Sequence, residues 1–264
     1  DVAARALGHV AEYAEWLALE EGTVAGLAPE VARRVRERVQ DAVRGGSVAL
    51  DLETTSAVLR DVGLGRTPTA EVVTLTDACR VAADIGYPVV LKATRRDAMA
   101  KTAGTGMAID LDDEAALHAA WARMEVGLGE RMLPATVQPM VPRGIDVAIT
   151  VEEHPEVGPV LALGPGGAAA ALDEAVDVRV LPLTDLDAQR LVASSRLAPV
   201  LDGPAREQLE RALLQIGALV EEVPEIVDLR ANPVIVSADA AVLTDVRLTV
   251  AALDHEPLPP LRRV

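Results

Sequence analysis

The sequence predicts an α+β protein of two α/β subdomains with mixed sheets, preceded by N-terminal helices. Amphipathic segments with apolar residues every three or four positions alternate with short β-branched runs, as helices alternate with strands. Several neighbouring strands are separated by turns too short for a crossover helix, which favours mixed sheets over a doubly wound parallel sheet. At 264 residues, the chain is long enough to bury the cores of two subdomains.

The order of these segments predicts the domain organisation. Residues 1–48 are predicted to be a helical linker, and the lack of an initiator methionine suggests a piece of a longer polypeptide. Residues 49–134 are predicted to form the first subdomain and residues 135–254 the second. The proline-rich residues 255–264 are predicted to be a flexible tail.

Composition argues against several classes of partner and compartment. A net charge of −16 disfavours nucleic acid and anionic membranes, because both attract basic surfaces. No apolar run approaches the roughly 20 residues that cross a bilayer, and the first residues lack the pattern of a signal peptide. The single cysteine, Cys79, favours a reducing, cytoplasmic setting.

The chain contains two lysines, Lys92 and Lys101, whereas the rest of its 25 basic residues are arginines. Lys92 ends the predicted strand GYPVVLK, and Lys101 begins KTAGTG, which contains Gly104 and Gly106. An ammonium group is a compact charge suited to phosphate oxygens, and glycines allow backbone N–H groups to approach a phosphate closely. The alternatives are chance retention of the lysines and an ordinary hairpin turn at the glycines.

Three later segments also contain residues that suit a nucleotide. Met140, in VQPMVPRGIDV, is either a core residue or a platform for a purine ring. A strand leads into the glycine-rich residues 164–167, and Arg179 lies in an apolar stretch where a guanidinium needs an anion or a carboxylate. Asp228 and Asn232 share one face of a predicted strand and offer oxygen ligands for Mg²⁺. A surface strand with a salt bridge and an Asn-Pro turn is the alternative there.

The order of these segments along the chain resembles the ATP-grasp domain of NDP-forming acyl-CoA synthetases, the acetate–CoA ligase family. The segments are GYPVVLK, the Lys–Thr–Gly turn, VQPMVPRGIDV, GPVLALGPGG, RVLPLTD and ANPVIV. The similarity runs from about residue 50 to residue 253, and residues 1–20 resemble the end of a preceding CoA-ligase-type domain. Family members bind ATP or ADP with Mg²⁺ between two subdomains. They pass a phosphoryl group to or from a histidine and couple it to acyl phosphate and acyl-CoA.

The resemblance implies an ATP-grasp fold, with a nucleotide and a CoA-ligase-type domain of the same polypeptide as partners. It implies that Lys92 contacts phosphate, that residues 138–141 form a hinge whose backbone contacts adenine, and that Arg179 approaches the phosphates. The full set of predicted ATP or ADP contacts is Lys92, Lys101, Gly104, Gly106, Gln138, Met140, Val141 and Arg179, and the predicted Mg²⁺ ligands are Asp228 and Asn232.

The sequence departs from the family pattern where phosphoryl transfer takes place. The family usually has His-Lys-Ser-Asp where residues 100–103 are Ala-Lys-Thr-Ala, and a glutamate where Ala171 stands. Glu174-Ala175 replaces a usual Lys-Asp. Without the histidine nucleophile and the acids, phosphoryl relay has no route, so we expect impaired transfer and assign no catalytic residue. The alternative is a non-catalytic, effector-sensing domain of a GNAT-linked protein lysine acetyltransferase.

Overall fold

The computed structural model describes residues 2–18, 20–46, 48–94, 106–171 and 176–252. Helices and strands alternate along the chain, as the sequence predicts. The α-helices are α1 (Val2–Leu17), α2 (Pro29–Arg44), α3 (Leu52–Asp61), α4 (Leu75–Ile85), α5 (Glu114–Leu128), α6 (Asp185–Ser194) and α7 (Gly203–Glu222). The strands are β1 (Gly65–Arg66), β2 (Ala70–Val72), β3 (Val89–Ala93), β4 (Met107–Leu111), β5 (Ala135–Pro139), β6 (Ile145–His154), β7 (Gly158–Pro165), β8 (Asp177–Val180), β9 (Ile226–Val236), β10 (Ala241–Leu243) and β11 (Val246–Val250).

The chain folds into two compact units. The first contains the described residues up to Leu64, residues 145–241 and the described residues from Asp245 onward, and the second contains residues 65–144 and 242–244. This division differs from the boundary predicted at residue 135. The reason is that β5 pairs with both β2 and β3, so that it belongs to the second unit.

The first unit is built on antiparallel strands in the order β11–β9–β6–β7–β8. Alternate residues of β6, including Ile149 and Val151, are buried on one face of this sheet. Helix α7 contacts β9 and buries Leu213 and Ile216, while α6 contacts both α7 and β8. The other face of the sheet carries the polar side chains of β6 and β9.

The N-terminal helices of the first unit confirm two boundary signals in the sequence. Helix α2 begins at Pro29 and ends before Gly45, as a proline at the first helical position and a following glycine predict. It contacts α3 and α7 and buries Val35 and Val39. The origin of residues 1–48 as a linker stays a prediction, and the predicted tail, residues 255–264, lies outside the described residues.

The second unit contains antiparallel strands in the order β2–β5–β3–β4. One face of this sheet, with Leu91 and Val137, packs in a hydrophobic core that includes residues of α4 and α5. The opposite face carries Lys92 and Gln138, because successive strand residues alternate between faces. Strand β1 pairs in parallel with residues 242–243 of β10, and this pairing is not part of the four-stranded sheet.

None of the helices in the described parts of the chain is both long enough and apolar enough to cross a bilayer.

Helix α3 gives a prediction about pH and stability. Asp51 Oδ1 accepts a hydrogen bond from Thr54 N at 2.7 Å, and this bond lowers the pKa of Asp51. A lowered pKa means that the stabilisation is present above the unfolded-state pKa of about 4 and is lost as pH falls through the folded-state value. We expect Asp51→Ala to lower the free energy of unfolding at pH 7 by about 1 kcal/mol. Urea unfolding at pH 7 and pH 3 measures this loss.

The matched control is Asp51→Asn, which keeps a capping oxygen but removes the titrating carboxyl. This variant should retain most of the stability at pH 7 and lose the pH dependence that Asp51 contributes. Equal stability of Asp51→Ala and the wild type at pH 7 would contradict the capping role.

Candidate functional site

In the first unit, the glycine-rich loop after β7 lies against the bulged part of β9. Val147 pairs with Val234 and Ile149 pairs with Ala231, so Asn232 and Pro233 together stand opposite one residue of β6. The Asn232 side chain reaches the loop, where its Oδ1 accepts a hydrogen bond from Gly167 N at 2.7 Å. Bulges occur often beside functional sites because they redirect a side chain out of the regular alternation.

The loop approaches β6 so closely that side chains are excluded from it. A Cβ on Gly166 would lie 2.5–2.6 Å from three backbone atoms of Val147, and Gly166 N donates to Asp146 O at 2.9 Å. Gly167 has a φ of +57°, and a Cβ there would overlap Asp146 Oδ2. The carboxylate of Asp146 and the amide oxygen of Asn232 therefore both lie at Gly167. Such a pair of oxygen donors fits the preference of Mg²⁺.

Asp228 is paired with an arginine of the same strand. Asp228 Oδ1 accepts a hydrogen bond from Arg230 Nε at 2.9 Å, and Arg230 Nη2 also pairs with Glu152. The joint binding of Mg²⁺ by Asp228 and Asn232 stays a prediction: the two side chains share a face, but the structure pairs Asp228 with Arg230.

Arg179 lies on the opposite face of the same sheet. It pairs with Leu161 of β7, which belongs to the buried face, whereas the neighbouring Val178 and Val180 are exposed. Its Nη1 donates to Val178 O at 2.7 Å. The structure therefore does not bring Arg179 together with Asn232 and the glycine loop.

In the second unit, Lys92 lies in β3 on the sheet face that points away from the helices. It is 9% exposed and pairs with Thr136 on one side and Met107 on the other. A lysine is seldom buried to this extent in a strand unless its ammonium group has a specific partner. Gly106 immediately precedes β4, and its carbonyl oxygen accepts a hydrogen bond from Ala93 N at 2.8 Å.

The predicted hinge residues have mainly structural contacts. The Gln138 side chain is buried, and its Nε2 donates to Thr69 Oγ1 at 2.8 Å and to Thr244 O at 3.0 Å. Met140 N donates to Pro88 O at 2.9 Å. Met140 and Val141 are half-buried. Lys101 and Gly104, the other predicted phosphate contacts, lie outside the described residues.

Asp146 is the residue that the sequence did not single out. It lies shortly after Arg143 and Gly144 in the sequence. We single it out because the fold places its carboxylate at Gly167, which is 21 residues later in the chain. The signal for Asp146 in the sequence was an acidic residue near the start of a predicted strand, directly after VPRG and Ile145.

Comparisons with known proteins identify the family of the chain. The protein-family model for an ATP-grasp domain matches residues 41–250. The beta subunit of ADP-forming acetate–CoA ligase I from Pyrococcus furiosus is 27% identical over 183 residues, which cover 65% of this chain and 79% of that protein. ADP-forming acetate–CoA ligase II from Archaeoglobus fulgidus is 30% identical over 179 residues, 66% of this chain but only 26% of that longer protein.

A solved structure shows the same fold. It is an acetyl-coenzyme A synthetase from Ca. Korarchaeum cryptofilum, in complex with coenzyme A and Ca-AMPCP, with a TM-score of 0.70 and 24% identity. The alignment covers 81% of this chain and 99% of that one. These findings confirm the ATP-grasp fold and the resemblance to acetate–CoA ligases. Since the family match spans well over half of its residues, the chain belongs to the ATP-grasp domain family.

Proposed function

We propose that the chain binds ATP or ADP with Mg²⁺ and serves as the ATP-grasp domain of an acid–CoA ligase of the ADP-forming type. The hydrogen bond from Gly167 N to Asn232 Oδ1 carries this proposal, because it joins a glycine loop to an oxygen donor on one sheet face. The ADP-forming acetate–CoA ligases among the relatives support the same class of nucleotide and substrate. The proposed partner is a CoA-ligase-type domain of the same polypeptide.

In this proposal Asp146 and Asn232 hold the metal ion. The Asn232 oxygen accepts one hydrogen bond from Gly167 and keeps a second lone pair, and the Asp146 carboxylate lies at the same glycine. Bound Mg²⁺ supplies positive charge that neutralises phosphate oxygens. In the second unit, Lys92 contributes a compact positive charge that suits a phosphate.

Calorimetric titration with Mg-ATP and Mg-ADP tests the binding proposal. We expect Lys92→Met and Asn232→Ala to weaken binding by about 10- to 100-fold, because a hydrogen bond to a charged group contributes about 1.5–3 kcal/mol. Lys92→Met keeps the apolar stem of the buried side chain, and thermal unfolding checks that each variant remains folded.

The matched control for this experiment is Arg179→Met. It removes a cation from the opposite face of the sheet, so nucleotide affinity should not change. No heat of binding with the wild-type chain would refute the proposal. Equal weakening by Arg179→Met would show that the effect comes from overall charge.

We infer further that phosphoryl transfer is impaired. Alanines stand at positions 100, 103 and 171, where the family has a histidine nucleophile and acidic residues. The chain incubated with ATP labelled at the γ-phosphate should retain no acid-labile phosphate. With acetate and CoA added, it should form no acetyl-CoA above the uncatalysed rate. Turnover that disappears in Asn232→Ala would contradict this inference.

The same missing residues favour a second candidate function, an effector-sensing domain of a GNAT-linked protein lysine acetyltransferase. In that case a nucleotide or acyl-CoA should raise the unfolding temperature of the chain while no product forms. In a protein with an attached acetyltransferase domain, the same ligand should change the rate of lysine acetylation. A ligand-induced rise in unfolding temperature together with ligase turnover would favour the enzyme instead.

A further inference from the structure

In the second unit, Cys79, Glu114 and His118 form a cluster of three different metal-ligating side chains. Cys79 belongs to α4, and Glu114 and His118 belong to α5, which packs beside it. One ligand atom from each residue, a sulfur, a carboxylate oxygen and an imidazole nitrogen, lies within 4.8 Å of the other two. His118 Nε2 is 3.6 Å from Glu114 Oε1.

The local sequence places these residues together. Asp113 caps α5 by accepting a hydrogen bond from Ala116 N at 2.8 Å, so the helix begins at Glu114. Glu114 and His118 are then four residues apart and lie on the same side of the helix. Cys79 is half-buried and packs at the edge of the hydrophobic core of this unit. The cluster thus has one anchored ligand and two on an exposed helix surface.

A buried hydroxyl beside the cluster is a second observation that points to a ligand. Tyr87 Oη is buried and has no hydrogen-bond partner among the described residues. Burial raises the pKa of Tyr87, and Cys79, Glu114 and Asp113 raise it further, so the phenol lies near the same groups. Burial and then the Glu114 carboxylate also raise the pKa of the Cys79 thiol. Because the thiolate is the form that binds a metal, a cation at the cluster would displace the Cys79 proton and would offset the charge of the Glu114 carboxylate.

We propose that Cys79, Glu114 and His118 bind a thiophilic divalent cation, with Zn²⁺ as the ion that suits them best. Sulfur, imidazole nitrogen and carboxylate oxygen together are typical zinc ligands, whereas Mg²⁺ prefers oxygen alone. Bond lengths of about 2.0–2.3 Å require the ligand atoms to approach more closely than they do now. Glu114 and His118 can make this movement because their side chains are 69% and 52% exposed.

This site is separate from the proposed phosphate contact of the same unit. Helices α4 and α5 pack in the hydrophobic core on one face of the sheet, and Lys92 lies on the other face. Zinc binding can therefore be tested without a nucleotide and without any measurement of activity.

Titration of the full chain with Co²⁺, followed by Zn²⁺, tests the proposal. A charge-transfer band from thiolate to Co²⁺ should appear with one ion per chain and disappear when Zn²⁺ is added. Because Cys79 is the single cysteine of the sequence, the band reports this site alone. Zn²⁺ should also raise the unfolding temperature of the wild-type chain.

Cys79→Ser should abolish the band, and both Cys79→Ser and His118→Gln should weaken Zn²⁺ binding by at least about tenfold, the effect that even second-shell changes have. The control is His154→Gln, which changes an exposed histidine of β6 and should leave the band and the affinity unchanged. Absence of the band in the wild type would overturn the proposal. Equal Zn²⁺ affinity in the wild type and Cys79→Ser, with both proteins folded by circular dichroism, would do so as well.

Discussion

Gly166→Ala is expected to lower the free energy of unfolding of the chain by about 3 kcal/mol, the upper part of the usual range for an overpacked site. The new Cβ would lie 2.5 Å from Val147 C and 2.6 Å from Val147 N and O. These are backbone atoms of β6, which pairs on both sides within its sheet, so no side-chain rotation can relieve the overlap. Urea unfolding followed by circular dichroism measures the loss.

The same substitution should also weaken nucleotide binding, because displacement of Gly166 moves the adjacent Gly167 away from Asn232. The matched control is Gly203→Ala at the start of α7, where nothing lies within 4 Å of the added Cβ. That variant should be neutral or more stable by up to about 1 kcal/mol, since alanine restricts the unfolded chain. Wild-type stability in Gly166→Ala would refute the close packing of the loop on β6.

Local signals in the sequence predicted many elements correctly. The hydrophobic spacing and the flanking Pro29 and Gly45 located α2, and the β-branched run before Lys92 located β3. Helix α4 shows the limit of such signals. Thr74 and Thr76 both fit an N-cap by residue type, and in the structure Thr74 Oγ1 accepts the capping hydrogen bond from Asp77 N at 3.1 Å. Two threonines so close together satisfy the same local pattern, and the chain entering the helix decides between them.

Strand β9 was harder to predict because the Asn232-Pro233 pair suggests a turn. An Asn-Pro turn was the alternative for this segment, but the structure has one continuous strand, Ile226–Val236. The pairing with β6 absorbs the two residues as a bulge instead of a break. Neighbouring strands can thus override a local preference for a turn.

Functional groupings that depend on packing could not be predicted from spacing. Asp146 and Gly167 meet only because β6 and β7 form a hairpin, and Cys79 meets His118 only because two helices pack together. The sequence could predict which residue types suit a nucleotide. Which of them converge depends on their positions in the sheet. Arg179 lies on the opposite face from Asn232, and Asp228 lies four residues from Asn232 along the same strand.

Gln138→Glu is expected to destabilise the chain by about 3 kcal/mol or more at pH 7, because it buries a charge against hydrogen-bond acceptors. Gln138 is 4% exposed, and its amide donates to Thr69 Oγ1 and to the carbonyl oxygen of Thr244. A carboxylate cannot donate either bond. The Thr69 hydroxyl cannot reverse its role without a further loss, since it already donates to Thr67 O at 2.9 Å.

The pH dependence distinguishes this explanation from a simple packing defect. Burial raises the folded-state pKa of the introduced carboxyl above its unfolded value of about 4.3, so the penalty should grow as pH rises from that value. The control Gln138→Met removes the two donors without adding a charge. It should cost about 1–2 kcal/mol with no added pH dependence. Urea unfolding of both variants at pH 5 and pH 8 measures the difference, and equal losses at both values in Gln138→Glu would contradict it.

The two variants also separate the structural role of Gln138 from the proposed recognition of adenine. Its amide nitrogen holds residues 69 and 244 to β5, so we expect an adenine contact in this segment to come from the backbone or from Met140 and Val141. Gln138→Met, measured well below its unfolding temperature, should therefore bind Mg-ATP with the wild-type affinity. A loss of affinity in a fully folded Gln138→Met protein would instead place the Gln138 amide in contact with the nucleotide.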